Sequence, residues 1–585
     1  MIRCFPRPGR AAPSGSKRKA PYCNPWPWLL LVGALAGPAH AVETQRASVP
    51  SPAFPALTTG GAMQVAGDVP GTPAVEHAGA AADGAAAIWK VTSCADDGSE
   101  GTLRAAAAGA ASGDVIDASD LECGMIQLQA GEIELPVDDI VVSGPGRDAL
   151  AIDGAEASRI FLHGGRGTLE IRGMTLTRGH VAEGNGGCVS SNSGNIALVD
   201  AAITECTVQV GGSAEYAGGG GAFAGGNVTV TRSLVSGNTA RADAARNVGG
   251  GGVLTRTDPD GIAGDITVLD SLIRENRVES TGTGSDFNAF GGGLDSTGTV
   301  TILRSRVTAN SVSSASADLE EESITEGGGV NAFGLRVEDS TFSGNSVVNS
   351  GGAMDVGGGA LSVRGSAVIT GSTIEGNHAG MVGGGVVQRG GIPGVSHLEI
   401  ANSTVSQNTA GMYGAGLVII DGLTMRNSTV AFNAVDETSP FGIGGVLIGS
   451  NETTGAYAIH SSIISNNEAG DQTWFAADLA VAFADSKPTI AGSANLIGET
   501  SGALLPADTL GADPLLLPLA DNGGATRTHA LGEGSPAVDA GNNAMGLPFD
   551  QRGPHHARVY GPAADIGAFE AQPPPDVIFS AGFES

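Results

Sequence analysis

A short pattern of apolar and polar positions returns nine times between about residue 184 and residue 467. Each copy opens with a tract of glycines that an apolar pair follows, as in GGGGVL at residues 249–254. Apolar and polar residues then alternate, as in NVTVTRS from Asn227 and DITVLDS from Asp265. Because alternation with a period of two is typical of half-buried β-strands, each copy predicts several short strands.

Each copy ends in the signature Ser-x-apolar-x-x-Asn, and an early degenerate copy places Ala201, Ile203 and Cys206 at the same three positions. Neighbouring signature asparagines lie 38, 34, 35, 32, 31, 25 and 34 residues apart by subtraction of their positions. Repeats of this length, without the Ala, Leu, Glu and Lys of helical repeats, predict an all-β solenoid whose coils stack. Eight copies carry the asparagine: Asn238, Asn276, Asn310, Asn345, Asn377, Asn408, Asn433 and Asn467.

The repeated glycines and asparagines are interpreted as architecture. Asparagine tolerates left-handed backbone and hydrogen-bonds its neighbours at turns, and stacked asparagines would join coils at about the 4.8 Å strand spacing. Glycine fits where the chain bends sharply or where two backbones approach closely. We therefore predict that the eight asparagines form a structural row and not a binding site.

The two halves of each copy differ in how much their length varies. Most of the half from the last glycine of a tract to the asparagine is rigid, at 16–19 residues in six of nine copies, whereas the other half is five residues long after Asn377 and sixteen after Asn310. Loops that leave one edge of a solenoid can grow freely, so we expect residues 277–290 and 311–326 to form a variable contact surface. The acidic residues proposed as contacts in these loops are Asp286, Asp318, Glu320, Glu321, Glu322 and Glu326.

The glycine tracts and the Ser-x-apolar-x-x-Asn signatures resemble those of right-handed parallel β-helix proteins, in particular bacterial polymorphic outer-membrane-protein-like repeats. That resemblance implies a roughly triangular coil with three short strands per turn. The right hand of the helix is also implied only by the resemblance, because spacing alone predicts no more than a β-rich solenoid.

The first 41 residues have the features of an export signal. Six basic residues precede an apolar run at 26–36, and Ala39-His40-Ala41 is a small-x-small cleavage site. The apolar run is shorter than the about 20 residues that span a bilayer, so we expect no transmembrane span in the mature chain. Residues 42–86 are rich in Ala, Gly, Pro, Thr and Val without periodicity, and are interpreted as a flexible linker.

Residues 87–179 are predicted to form an N-terminal cap and the first coils, and residues 180–500 the repeats. The alanine-rich stretch at 102–110 predicts a helix that closes the open end of the first coil. Alternating segments such as MIQLQ and EIELP follow it. The whole segment is similar to the N-terminal region of many exported bacterial β-helix proteins.

The charge of the chain argues against a nucleic-acid partner. The formal net charge is −31, and removal of six cations and no anions with the signal makes it −37. Binding to phosphates needs cationic patches. Acidic loops are compatible with calcium, but no calcium motif is present, so we expect no cofactor. We expect the protein to be a monomer. Its expected partner is an extracellular glycan or a surface protein.

Four cysteines follow the signal: Cys94, Cys123, Cys188 and Cys206. An even count in an exported chain predicts disulfides. Three pairings exist for four cysteines, and sequence proximity favours Cys94 with Cys123 and Cys188 with Cys206.

Residues 501–571 are predicted to cap the far end of the solenoid. The segments DNGG at 521–524, GSPAVDAGN at 534–542, DQRG at 550–553 and DIGAFE at 565–570 look very similar to the choice-of-anchor Q domain. The tail at 572–585 resembles a short IFxxGFE ending found on exported proteins of some Gram-negative bacteria. This resemblance implies an extracellular or outer-membrane-associated protein of such a bacterium.

Two functions compete at this point. The first is a secreted or cell-surface solenoid that acts by binding, adhesion or as a structural surface protein. The second is a polysaccharide lyase or hydrolase that uses one face of the helix. Asp295 and Asp355 follow glycine tracts, whereas Asp270 and Asp339 each precede a signature serine, so these carboxylates occupy different faces of the repeat and yield no catalytic pair. The binding function is therefore favoured, and no catalytic or metal-binding residue is assigned.

Overall fold

The computed structural model describes residues 86–211, 216–243, 247–257, 261–282, 287–316, 323–352, 355–390, 396–439, 442–449, 456–470, 475–482 and 487–572. The predicted export signal lies outside these residues, as do all but the last residue of the predicted linker and all but the first of the predicted tail. Within the described residues the fold is an all-β parallel helix with a single α-helix, which confirms the predicted class.

The α-helix, α1 (Leu103–Gly109), closes the first coil as the sequence predicts. The side chain of Thr102 caps it by accepting a hydrogen bond from the amide of Ala105. Leu103, Ala106 and Ala107 are buried and join the main hydrophobic core. The apolar open end that a solenoid would otherwise expose is therefore covered.

One coil shows the path of the chain. It runs from Ala222–Ala224 through Val228–Thr231, Leu234–Ser236 and Thr239–Ala242 to Asn247–Gly249, and a glycine tract then leads to the same position one coil further on. Each of these strands pairs in parallel with its counterpart in the next coil. The coil therefore has five strands here, and not the three that the family resemblance implies.

Sheet A consists of two adjacent columns. Its first column follows the glycine tracts and contains Ile133–Leu135, Phe161–His163, Val189–Ser191, Ala222–Ala224, Val253–Thr255, Leu294–Leu303, Val330–Glu338, Leu361–Val363, Val386–Gln388, Leu417–Ile419, Val446–Gly449, Leu479–Ala482 and Thr500–Ser501. Its second column, which shares the two long strands, contains Ile88–Lys90, Val115–Asp117, Ile140–Ser143, Thr168–Arg172, Asn195–Val199, Val228–Thr231, Ile266–Leu269, Ala367–Thr370, His397–Ala401, Gly422–Arg426, Tyr457–His460 and Ala491–Ser493.

Sheet B closes the main tube with Met125–Gln127, Ala151–Asp153, Thr175–Thr177, Ala202–Thr204, Leu234–Ser236, Leu272–Arg274, Arg306–Thr308, Thr341–Ser343, Thr373–Glu375, Thr404–Ser406, Thr429–Ala431, Ile463–Ser465 and Leu496–Ile497. Sheet C contains His180–Val181, Thr207–Val210, Thr239–Ala242, Arg277–Ser280, Ser311–Ser314, Ser346–Asn349, His378–Ala379, Thr409–Ala410 and Ala434–Val435. Sheet D contains Tyr216–Gly218, Asn247–Gly249, Asn288–Phe290, Ile324–Glu326 and Asp355–Gly357.

Two separate cores explain the two additional sheets. The main core lies inside the tube of sheets A and B and is built from their inward-facing Val, Ile and Leu residues. A second core lies between sheets C and D, where Val208, Val278 and Val312 from sheet C meet Val248 and Val356 from sheet D. The chain therefore leaves the tube at each signature asparagine, forms a side lobe, and returns through the next glycine tract.

The signature asparagines form a buried hydrogen-bonded ladder along the tube. The side-chain amide of Asn238 donates to Oδ1 of Asn276 at 2.8 Å, and the backbone amide of Asn238 donates to the same oxygen at 3.1 Å. The amide of Asn276 also donates to the carbonyl of Val235 in the preceding coil at 3.0 Å. The same arrangement recurs up to Asn467, so each asparagine satisfies its buried polar atoms with the coils on either side.

The two ends of the ladder have different chemistry. Cys206 occupies the first position, where its backbone amide donates to Oδ1 of Asn238 at 3.0 Å, and its sulfur is bonded to Cys188. The last amide, that of Asn467, donates to a carboxylate oxygen of Asp478 at 2.9 Å. A carboxylate only accepts, so it ends a row of donors without needing a further acceptor. Cys94 and Cys123 form the second disulfide.

The glycine tracts have no space for side chains. A Cβ on Gly252 would lie 2.6 Å from the carbonyl oxygen of Gly293 and 3.1 Å from Cγ of Asn276. Gly250 has a positive φ of 62°, which favours glycine at the turn from sheet D into sheet A. The tract is therefore required both by the turn and by the close approach of the backbone to the asparagine ladder.

The C-terminal region covers more of the solenoid than its far end. Ala537 and Ile566 pack on Ile463 and Leu496 near that end. The region also extends along the outer face of sheet B, where Gln551 accepts a hydrogen bond from Thr404 at 2.6 Å. Its own interior contains buried ion pairs, including Arg552 with Asp550 at 2.6 Å. The predicted end cap is thus also a side cover of the last coils.

No α-helix within the described residues combines the length and apolar character needed to cross a membrane.

Replacement of Asn345 by Ala should lower the free energy of unfolding by about 1–3 kcal/mol, because the amide of Asn310 and the carbonyl of Val307 would both lose a buried partner. Urea unfolding measures the change. The matched control is Ser343→Ala in the same coil, since the half-buried hydroxyl of Ser343 makes no side-chain hydrogen bond among the described residues. Equal effects of the two variants would contradict a stabilising ladder.

Candidate functional site: an arginine rim above buried carboxylates

The candidate site lies where the first column of sheet A faces sheet D. Leu294 points into the main core, so its neighbour Asp295 points outwards from the tube. Val356 points into the second core, so Asp355 and Gly357 on either side of it point towards sheet A. Strand alternation therefore directs carboxylates from two sheets into one cleft.

Asp295 is held by three side chains. The hydroxyl of Tyr216 donates to Oδ2 at 2.8 Å, the amide of Asn331 donates to Oδ1 at 2.8 Å, and a guanidinium nitrogen of Arg256 lies 3.3 Å from Oδ2. Burial raises the pKa of Asp295, and Arg256 opposes that rise. The Arg256 guanidinium lies 3.5 Å from the centroid of the Tyr216 ring. Burial lowers the pKa of Arg256.

A second cluster joins sheets A and D through Arg389. Its guanidinium forms ion pairs with Glu326 and Asp355, both from sheet D strands. The hydroxyl of Ser362 donates to Glu326 at 2.9 Å. Burial raises the pKa of Asp355 to about 6, the charge of Glu326 adds to the rise, and Arg389 opposes it.

Burial and neighbouring charges also shift the pKa values of Arg389 and Tyr413. Burial alone would lower the pKa of Arg389, but the charges of Asp355 and Glu326 outweigh burial and raise it. Burial raises the pKa of Tyr413 to about 12. Arg389 therefore stays charged, and the pKa of Asp355 lies above the usual range of a carboxyl group.

A line of side chains, which we call the arginine rim, lies above these buried acids. In five successive coils, three residues of the first column pair with the three equivalent residues of the next coil. Each member of the rim is the residue directly after such a three-residue stretch, so successive members lie one coil apart. The arginine rim consists of Arg256, Thr297, Phe333, Arg364 and Arg389.

The centre of the rim is its most accessible part. Phe333 is 48% exposed, although it is a large apolar side chain. Arg364 is also exposed, and its guanidinium lies 5.5 Å from the centroid of the buried Phe290 ring. The flanking side chains are less accessible, with 28% exposure for Arg256 and 16% for Arg389.

The geometry favours recognition over acid–base chemistry at the carboxylates. The side chains of Asp295, Glu326 and Asp355 are at most 5% exposed, and each is engaged by arginine, hydroxyl or amide groups of the protein. A general acid or base must come within hydrogen-bond reach of its substrate. The accessible groups of the site are instead the aromatic ring of Phe333 and the guanidinium of Arg364.

The acidic contact residues proposed from the sequence have different positions. Asp286, Asp318, Glu320, Glu321 and Glu322 lie outside the described residues. The sequence predicts Glu326 in an edge loop, which is wrong: Glu326 lies in the strand Ile324–Glu326 and is fully buried. Its ion pair with Arg389 explains why a charged side chain is stable there.

The proposed loops are also shorter than expected. Residues 277–280 and 288–290 of the first loop are strands of sheets C and D, as are residues 311–314 and 324–326 of the second. The variable length of this half of the repeat predicts loops, but it does not reveal the short strands at the two ends of each loop.

Sequence reasoning missed the rim, because it assigned no role to Phe333 or Arg364. Asp295 and Asp355 both follow glycine tracts, and the structure brings both close enough to Arg364 for their charges to interact with it. Aligning the copies on the glycine tract would have identified the site, because Glu326 directly precedes one tract and Asp295 closely follows another.

A second concave surface lies on the outer face of sheet B in the earlier coils. This groove of about 820 Å³ is lined by Leu234 and Leu272 together with charged residues of neighbouring coils. Arg232 pairs with Asp200 at 2.7 Å and Arg304 with Asp270 at 2.8 Å, so these charges satisfy one another across coils. The groove supplies charged control positions that lie away from the rim.

Replacement of Asp355 by Asn should stabilise the protein at pH 8 relative to wild type, and this gain should disappear at pH 4. The folded-state pKa of about 6 exceeds the ordinary value of 3.8, so the wild-type fold loses stability as the pH rises from about 4 to about 6. The expected difference is on the order of 1–3 kcal/mol. Urea unfolding from pH 4 to pH 8 measures it.

Asp270→Asn is the matched control, because Asp270 is exposed and pairs with Arg304 on the surface. Only the Asp355 variant should change the slope of stability against pH. A parallel shift at every pH would mean that Asp355 is ionised throughout in the folded protein.

No family model, no curated protein and no solved structure matches this chain, so the candidate site is defined by its geometry alone.

Proposed function

We propose that this protein is an exported β-solenoid that binds an extracellular glycan along the arginine rim. The observation that carries this proposal is the exposed ring of Phe333 beside the exposed guanidinium of Arg364 in the next coil. An aromatic face packs against the apolar face of a sugar ring, and a guanidinium donates to sugar oxygens in a fixed geometry. The two groups together supply the apolar and the polar half of a sugar contact.

The repetition of the rim suits an extended ligand. Rim positions recur once per coil, and parallel strands lie about 4.8 Å apart. A polymer that runs along the solenoid axis would therefore meet Thr297, Phe333 and Arg364 in succession. This arrangement favours a chain of sugars over a compact small molecule.

The buried acids position the rim in this proposal. The ion pairs of Asp295 with Arg256, and of Glu326 and Asp355 with Arg389, fix the two flanking guanidinium groups. Side chains that are already ordered lose less conformational entropy when a ligand binds. The acids thus contribute to binding without contacting the ligand.

Export is supported by the two disulfides, because disulfides form and persist in oxidising compartments. The export signal and the attachment to an outer membrane stay predictions, since residues 1–41 and 573–585 lie outside the described residues. The edge loops also stay a predicted second contact surface for the same reason.

A second candidate is a polysaccharide lyase or hydrolase that uses the same cleft. The pKa of Asp355, about 6, is the observation that favours it, because a carboxyl group that titrates near neutral pH suits proton transfer. It requires the cleft to open, since Asp355 is only 5% exposed. Product formation that Asp355→Asn abolishes would establish this second candidate in place of binding alone.

Replacement of Phe333 by Ala should weaken glycan binding roughly tenfold, because a central aromatic contact typically contributes more than 1 kcal/mol to binding. The mature chain should first be screened against neutral and acidic glycans, with and without calcium. Titration calorimetry with the best ligand then measures the effect of the substitution.

Val348→Ala is the matched control, because Val348 is 40% exposed but belongs to sheet C. Its affinity should equal that of wild type. Absence of binding to every glycan, or equal binding by the Phe333 variant, would contradict a glycan site on the rim.

A further inference from the structure

The three arginines of the rim differ in how their charge is compensated. Arg256 is paired with Asp295, and Arg389 is paired with both Glu326 and Asp355. Arg364 lies between them and has no hydrogen bond or ion pair from its side chain within the described part of the chain. The central guanidinium is therefore the rim cation that still has its donors available.

The surroundings of Arg364 hold this guanidinium ready for a ligand. Phe290, only 7% exposed, lies beneath it, with Cζ of Arg364 5.5 Å from the centroid of the Phe290 ring. The backbone amide of Arg364 donates to the carbonyl of Ala332 at 3.1 Å, which fixes the base of the side chain. Asp295 and Asp355 act on Arg364 through space, and nearer donors occupy both carboxylate oxygens of Asp295 and Oδ1 of Asp355.

We infer that the ligand carries a carboxylate, that Arg364 binds this carboxylate, and that the sugar ring bearing it packs on Phe333. This inference rests on the proposed function and specifies the class of sugar as a uronic acid. A guanidinium matches a carboxylate with two parallel N–H···O bonds, which neutral hydroxyl groups cannot reproduce. The donors of Arg364, which no side chain of the described residues occupies, are thereby satisfied by the carboxylate of the ligand.

The position of Phe333 favours a sugar acid over an acidic peptide. Arg364 and Phe333 occupy neighbouring coils, and the amide of Gly365 donates to the carbonyl of Phe333 at 2.7 Å. A Cβ on Gly365 would lie 3.3 Å from the Phe333 ring, so the ring packs directly against the backbone next to Arg364. A uronic acid holds its carboxylate rigidly on a ring with an apolar face, whereas an Asp or Glu side chain has no such face.

The overall charge of the protein favours a short ligand in the test. The formal net charge of the mature chain, −37 after six cations are lost from −31, repels a long polyanion, and salt screens both this repulsion and the arginine contact. A trimer of β-1,4-linked glucuronic acid and its neutral counterpart, cellotriose, share one backbone. The two probes differ only in carboxylate against hydroxymethyl, so their comparison isolates the carboxylate.

Titration calorimetry of the mature chain should show that the glucuronate trimer binds about 10- to 100-fold more tightly than cellotriose. Arg364→Gln should abolish this preference, so that the variant binds both trimers with equal affinity. Arg364→Lys should keep part of the preference, because it keeps the charge but not the planar fork. Arg306→Gln is the control, since Arg306 is an exposed arginine of sheet B, and it should behave as wild type.

Each result has a defined meaning. Equal affinity of wild type for the two trimers would overturn the carboxylate inference and leave glycan binding intact. Failure of wild type to bind either trimer, or any other glycan, would overturn both proposals. Direct binding of a hexamer of glutamate in the same titration, lost in Arg364→Gln while neither trimer binds, would overturn the uronic acid inference and assign the site to an acidic peptide. Urea unfolding of every variant excludes loss of folding as the cause.

Discussion

The hydrogen bonds of the buried asparagine ladder are the interaction on which the solenoid depends. Each side-chain amide from Asn238 to Asn433 is fully enclosed and has donors and acceptors that only the adjacent coils can satisfy. Leaving such a group without a partner costs about 1–3 kcal/mol. A shift of one coil against the next would break two or more of these bonds at once, so the ladder selects a single register for the whole stack.

That register determines where every other side chain lies. The ladder is located at the corner where the chain leaves the tube, and the glycine tracts pack against it as the chain returns. Each first-column strand therefore starts at an equivalent point, and the residue that follows it falls on a straight line. The arginine rim arises from this alignment, although Arg256, Phe333 and Arg364 are far apart in the sequence.

The side lobe formed by sheets C and D contributes two buried acids to the candidate site. Sheets C and D have their own core, so sheet D can carry Glu326 and Asp355 on the face that meets sheet A. Burying these acids is costly unless cations accompany them. Arg389 supplies the cation for both, and this pairing joins the lobe to the tube at the position where the rim is most polar.

Much of the fold follows from local patterns, because a solenoid repeats one set of short-range rules. The period of the asparagines, the alternation in strands such as Val228–Thr231 and the alanine-rich stretch of α1 each encode their own local structure. Sheet D could not be predicted from the sequence, because three-residue strands such as Asn247–Gly249 and Ile324–Glu326 are too short to show alternation. The sequence therefore predicts Glu326 in a loop, and the pairing of Glu326 with Arg389 depends on contacts across 63 residues that no local pattern contains.

The ladder also has a chemical direction, from a cysteine that starts it to an aspartate that terminates it. Insertion of one whole coil adds one acceptor and one donor together, and leaves both termini unchanged. Duplication or loss of complete coils therefore leaves every buried amide of the ladder with a hydrogen-bond partner. Insertion of a partial coil would leave one asparagine amide without a partner. Such a rod can change its length in evolution by unit steps, and the row of ligand contacts on its flank lengthens or shortens with it.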